Sequence, residues 1–336
     1  MIATLLDPSL FVCPSIEEGE EAFDGFLETI YLLFVLQRAK WTKVMISAGT
    51  CGALAEVDQY PIAPVIQSSL AHFDRSDIQL KDIMGLIGRV LQKTPSAESF
   101  YGIDSLLAAE VEIVPRDIAT GHAPPLRICL EDLLSTVFTG ETIGSSFSII
   151  SVVGRVPSAV GNEAGFRGLI HEVDPPRVIS LPMMVHGEFR YGICRLSIVE
   201  SISCEQIWRF CSTSDDYSFL IDALIKLHCK DEGSSAIAWK FGPRFLESVV
   251  LHDFGNNLTK IRTLLRCCAE TICGTNLPAT HALREDSGGG AKQQTRGKDK
   301  AWRRDICYEY HLHYWAGESG VELASVVVHN DFTIPR

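Results

Sequence analysis

Histidine, arginine, glutamate and tyrosine concentrate in one stretch of the 336-residue chain, Trp302 to His329. From Trp302 to Trp315 the residues alternate with the period of two that a strand imposes. Arg303, Asp305, Cys307, Glu309, His311 and His313 fall on one face; Arg304, Ile306, Tyr308, Tyr310, Leu312 and Tyr314 fall on the other. The second face reads as core. The first is polar at six successive positions, whereas Lys, Glu and Thr usually suffice for a solvated strand face. Val321 to Val328 reads as a β-branched return strand after the turn 316–320, and it leads into His329.

Two chemistries compete for the polar face. His311-x-His313 could chelate a metal from one strand, with Glu309 or His329 as third ligand. A hairpin symmetric about Glu318 opposes that version: it sets His329 opposite Cys307, about 13 Å along the strand from His311. In the other reading the imidazoles act as general acid or base, Glu309 orients them and Arg303 holds a phosphate. The candidate catalytic residues are therefore His311, His313, Glu309 and His329. A pair of ordinary half-buried sheet histidines accounts for the same pattern.

The approach to this strand is basic. Lys292, Arg296, Lys298, Lys300, Arg303 and Arg304 face a single acid, Asp299, in a chain of net charge -12. Fixed cations favour phosphate locally, and Arg grips it through two parallel hydrogen bonds. RNA or DNA is the expected partner, and the alternative is a solvated loop beside an acidic surface. The overall charge excludes a protein that coats nucleic acid or anionic membrane with its whole surface.

A second candidate lies at the start of the chain. The strand Ile2 to Leu6 ends in Asp7; an acidic helix with Glu20, Glu21, Asp24 and Glu28 follows, and Glu131-Asp132 forms a later acid pair. Carboxylates are hard oxygen donors of the kind that hold Mg or Mn. Stabilisation of a helix start by its dipole explains Glu20 and Glu21 equally well. The spacings of a phosphate loop, a nucleophile elbow and a dinucleotide-binding loop are absent, as is C-x-x-C. Eleven scattered cysteines fit a reducing cytoplasm.

The elements that must position these residues are those of an α/β chain. Ile2 to Leu6, a helix over Glu20 to Gln37 and a strand at Lys43 to Ile46 give a β-α-β rhythm that favours parallel pairing. Helical patterns recur at Pro64 to Phe73, Leu80 to Leu91, Leu126 to Phe138 and Leu258 to Ile272; strand patterns recur at Val111 to Val114, Phe147 to Val153 and Tyr191 to Val199. The expectation is an N-terminal parallel-sheet domain with flanking helices (1–145), a mixed middle region (146–240) and a C-terminal α+β unit ending in the basic hairpin (241–336). Asp286 to Lys292, rich in glycine, reads as a flexible link. The longest apolar run, Ile30 to Leu36, is too short to cross a bilayer, and the first residues lack a signal-peptide pattern, so no membrane association is expected.

The order helix (Leu258 to Ile272), loop, basic strand (Trp302 to Tyr314), turn and return strand ending in His329 resembles the RelE-like RNA-cleaving toxins over the last quarter of the chain. That resemblance implies RNA contact through Arg303 and Arg304 and assistance to cleavage by His329. His311 stands where the family commonly has Arg. The N-terminal part resembles PIN-like nuclease domains, which implies the metal site at Asp7. Together these imply a phosphodiester-handling protein, a nuclease effector of a bacterial defence or toxin system. The alternative is a non-catalytic subunit that docks nucleic acid or other protein subunits through the same hairpin.

Overall fold

A computed structural model describes the chain except residues 145–146, 155–162, 177–178, 193–201, 233–234 and 287–290. The α/β reading holds, and the chain divides into two compact units, Met1–Ile202 and Ser203–Arg336.

The first unit is built on β1 (Ile2–Leu6), whose five residues are all buried. Burial on both faces is the signature of a central parallel strand. Next come α1 (Glu20–Arg38), β2 (Thr42–Met45), α2 (Thr50–Glu56), α3 (Ala63–His72), α4 (Leu80–Lys93), α5 (Ala97–Tyr101), β3 (Ser105–Val114), α6 (Asp117–Thr120) and α7 (Pro124–Ile143). The apolar spacing that predicts α1 buries Phe23, Phe26, Leu27, Ile30 and Leu33.

The strands β4 (Ile149–Val153), β5 (Glu163–Asp174) and β6 (Met183–Gly192) complete the same sheet, in the order β2-β1-β4-β6-β5-β3. The first four pair in parallel, and β5 runs antiparallel to both neighbours. The strands β4, β5 and β6, expected in a separate middle region, thus belong to the N-terminal sheet. Their inward side chains, with α7, make one core in which Phe138 stacks on Phe166. The strand expected over Tyr191 to Val199 lies beyond residue 192 outside the described residues.

The second unit contains α8 (Cys204–Trp208), α9 (Ser214–Glu232), β7 (Trp239–Phe241), α10 (Phe245–Leu251) and α11 (Leu258–Ile272). Five further strands follow: β8 (Thr280–Ala282), β9 (Thr295–Arg296), β10 (Asp299–Asp305), β11 (Tyr310–Gly317) and β12 (Gly320–Val328). Their order is β7-β12-β11-β10-β8, with β9 also paired to β10. The glycine-rich stretch at 286–292 does not separate units. Its flanks are bridged by Arg284 to Gln293 and by a hydrogen bond from Glu285 N to the Lys292 carbonyl, so it joins two segments of one sheet.

The stretch Trp302 to Trp315 is not one strand. The chain reverses over residues 306–309, where the Ile306 and Cys307 amides both donate to the Tyr310 carbonyl. Parity survives the reversal, because Arg303 pairs with His313 and Asp305 with His311. A polar row expected along one strand is folded back into a patch two strands wide. Arg304, Leu312 and Val326 share the opposite face, which meets α11 through an Arg304–Glu270 ion pair.

Candidate functional site

The position of His329 depends on two local features of the β11–β12 hairpin. Gly317 pairs with Gly320, so the turn centres one half-step beyond Glu318. Gly320 has φ +112°, and a Cβ there would come within 2.0 Å of the Ala238 carbonyl oxygen, so glycine is required. The ladder then skips Ala324: Tyr314 pairs with Leu323, but His313 pairs with Ser325. This bulge and the turn each advance the return strand by one residue relative to a symmetric hairpin. His329 therefore sits opposite Glu309, to whose carbonyl its amide donates, and not opposite Cys307.

That shift overturns the expected separation. His329 Nδ1 lies 3.1 Å from His311 Nε2, and the same Nε2 lies 3.2 Å from Asp305 Oδ1. With two acceptors in front of it, His311 Nε2 is assigned the proton, which leaves its Nδ1 as a bare lone pair. That Nδ1 is buried and has no hydrogen-bond partner. His281 extends the network, with Nε2 3.7 Å from Asp305 Oδ2. His311 is buried, whereas Asp305 is 47% exposed and His329 lies at the surface, so the chain of groups runs from interior to solvent. Burial pulls the His311 pKa down, the Asp305 charge opposes this, and Arg303, His329 and His281 reinforce it.

One register row further, Arg303, His313 and Ser325 stand side by side across three strands. Arg303 Nε, His313 Nε2 and Ser325 Oγ are all buried without a partner. Orphaned donors and acceptors in one row are costly unless water or a ligand meets them. His313 does not join the His311 pair. Its Nδ1 is 2.8 Å from the Thr333 carbonyl oxygen, and burial holds its pKa down at about 4. Residues 331–336 cross this face as a strap: Trp315 Nε1 donates to the Pro335 carbonyl, and Ile334 packs with Leu283, Ala301, Trp315 and Ala324.

The other expected residues separate into those at the site and those committed elsewhere. Glu309 lies exposed in the reversal, and Asp305 occupies the orienting position assigned to it. Arg304 is not at the surface. It is 1% exposed, bonded to Glu270 and to the carbonyls of Thr275 and Asn276, and holds β10 to α11. Arg296 forks onto Glu322, also reaches Asp299 and lies over the Trp315 ring. Lys298 pairs with Glu318 where both are exposed. Lys292 and Lys300 are exposed, and neither they nor Arg303 form an ion pair among the described residues.

At the N-terminal candidate both Asp7 oxygens lie 2.7–2.8 Å from His122 Nε2, and Oδ1 also accepts from the Ser9 amide. Both side chains are 0% exposed. Burial lowers the His122 pKa, but the Asp7 hydrogen bond and charge, aided by the Ile118 carbonyl, outweigh it and raise the value. Asp7 is therefore committed to a sealed pair instead of standing open as an Mg or Mn ligand. The other acids are dispersed: Asp24 pairs with Arg75, Glu131 with Arg127, and Glu20 and Glu21 lie exposed in the first turn of α1.

Sequence reasoning missed His122, His281 and the strap. The Asp7–His122 contact spans 115 positions, which no local spacing reveals. No group of three His, Cys, Asp or Glu residues stands ready to hold a metal among the described residues. Nor is any described helix long and apolar enough to cross a membrane. No protein-family model, curated protein or solved structure matches the chain.

Proposed function

We propose that the second unit binds nucleic acid and catalyses phosphodiester cleavage on the sheet face opposite α11. The observation that carries this reading is the contact of His311 Nε2 with both Asp305 Oδ1 and His329 Nδ1. A buried imidazole oriented by a carboxylate and touching a second imidazole at the surface has the arrangement of a proton relay. His311 Nε2–H holds His329 in the tautomer that carries its proton on Nε2. His329 gives that proton to the oxygen that leaves as its phosphorus–oxygen bond breaks and recovers one from water, while the attacking hydroxyl releases its proton to water as the new oxygen–phosphorus bond forms. Arg303 neutralises the charge that builds on the phosphoryl oxygens.

The test uses the full chain with labelled RNA and DNA oligonucleotides in low salt, reading cleavage and binding separately. His329→Ala is expected to lower the cleavage rate by at least about 100-fold, the size of a lost general acid or base, and to leave affinity within a few-fold. Binding without cleavage by the unaltered protein would instead identify a docking module. Absence of both would end the reading.

A further inference from the structure

We infer that Tyr308 forms a base-stacking subsite beside the histidines and that the nucleic acid taken by this face is single-stranded. This rests on the phosphodiester reading above and specifies which strand state that site accepts.

Tyr308 is 90% exposed, the most exposed of the large hydrophobic side chains among the described residues. Its position is not that of a loose loop tip. The reversal that carries it is closed by the Ile306 and Cys307 amides on the Tyr310 carbonyl. Turns of this kind ordinarily use Gly, Asn, Asp or Ser, which hydrogen-bond locally or tolerate unusual backbone angles; a tyrosine gives no such advantage. What the ring does contact is His329, with planes inclined by 14° and centroids 5.8 Å apart. His329 in turn lies 4.7 Å, ring to ring, from His311. The aromatic surface therefore adjoins the proton relay.

The opposite side of the relay carries the cation. Arg303 is one register row from Asp305 and His311, about 7 Å along the strands, and its Nε is buried without a partner. A ring offering a flat face, two imidazoles and an arginine thus follow one another across the patch. A nucleotide strand presents the matching order when its base lies on the ring and its phosphates run across the imidazoles towards Arg303. Base-paired strands do not fit, since their base faces are already covered by neighbours in the stack and only edges remain outside. A single strand offers free faces, and every base has one, so the subsite is tolerant of sequence.

The experiment measures binding of labelled 12-mers to the full chain and to Tyr308→Ala and Tyr308→Phe. The probes are single-stranded RNA, single-stranded DNA, the corresponding duplex, and a strand abasic at every position. Tyr308→Ala is expected to weaken single-strand binding about tenfold or more, and Tyr308→Phe, which keeps the ring, about twofold or less. Duplex and abasic strands are expected to bind more weakly than the single strand and to be unaffected by Tyr308→Ala. Equal affinity for abasic and ordinary strands, or equal loss in both variants, would overturn the stacking subsite while leaving phosphodiester binding intact. Lack of binding by every probe would instead overturn the underlying reading. A difference between the RNA and DNA arms assigns the sugar, and either assignment supports the stacking subsite.

Discussion

The two units each contain an aspartate held against a histidine, and the two pairs behave in opposite ways. Asp7 and His122 are both 0% exposed, and the carboxylate faces a single imidazole nitrogen with both oxygens. Asp305 is 47% exposed, shares itself between His311 and His281, and meets an imidazole that already touches another imidazole. The His122 pKa rises despite burial, while that of His311 falls despite a neighbouring carboxylate. What separates them is the rest of the surroundings: Asp7 is the dominant charge near His122, whereas Arg303, His329 and His281 offset Asp305 around His311. An Asp–His contact therefore does not identify a working site. Of the two pairs, the second alone is open to solvent among the described residues, through the half-exposed Asp305 and the exposed His329.

Stability separates the pairs most strongly. Asp7→Ala removes one member of a sealed pair and leaves His122 buried without its acceptor, a loss expected to cost about 3–5 kcal/mol. Asp305→Ala breaks contacts that water already screens and is expected to cost less than about 1 kcal/mol, while slowing cleavage. Denaturant unfolding of both variants, read together with the cleavage rate, checks the contrast. Equal destabilisation would mean that the second pair is structural too.

Acid response gives the next largest difference, and its sign distinguishes His122 from His313. Because the folded His122 pKa is raised, its contribution is fully present below the unfolded value near 6.5 and is lost as pH rises through the folded value. His313 is lowered to about 4, so the unfolded chain binds more protons between about 6.5 and 4. Its contribution, about 3 kcal/mol, is present above 6.5 and disappears as pH falls towards 4. Hydrogen exchange followed from pH 7 to 4.5 should show the second unit weakening, and His313→Gln should flatten that slope. An unchanged slope would mean that His313 is not held neutral by the fold.

These contrasts also explain what could be read from sequence. The helix spacing at Phe23, Phe26, Ile30 and Leu33 and the strand Ile2–Leu6, apolar except at Thr4, gave the α/β architecture directly, since burial imposes its period on neighbouring residues. Which residues share a face was legible for 303–305 and 311–313 because side-chain parity passes through the reversal at 306–309, but Tyr308, read as core, is 90% exposed, and His311 and His313, read as a polar face, are buried. The distance from His329 to His311 was not legible. It depends on one skipped residue at Ala324 and on the close approach of Ala238 to Gly320, and a tertiary contact of that kind leaves no local pattern. The basic cluster misled for a related reason: Arg296 and Arg304 look like binding residues until Glu322 and Glu270 arrive from 26 and 34 positions away.

The two neighbouring arginines carry the same contrast between sealed and open groups at smaller scale. Arg303→Ala is expected to lower nucleic-acid affinity about tenfold and to reduce the salt slope by about one phosphate contact. Arg304→Ala acts through the loss of its buried bond to Glu270, so unfolding, not binding, should report it. Fluorescence anisotropy across a salt series, paired with thermal unfolding, separates the two. Loss of affinity in Arg304→Ala at a temperature where it remains folded would return Arg304 to the binding surface.

The smallest expected effect sets the boundary of the open pair. His281 stands 3.7 Å from Asp305 Oδ2, beyond a normal hydrogen bond, and both side chains are 47% exposed. Water can compete for that oxygen, so His281→Ala is expected to change stability by no more than a few tenths of a kcal/mol and the cleavage rate by about threefold or less. The pH–rate profile is the sharper measurement. If His281 only shields the outer carboxylate oxygen, its removal leaves the shape of the profile intact, because the proposed relay consists of His311 and His329. A change in the shape of the profile would make His281 a third member of the relay, and the working network would then extend from β12 through β11 and β10 to β8.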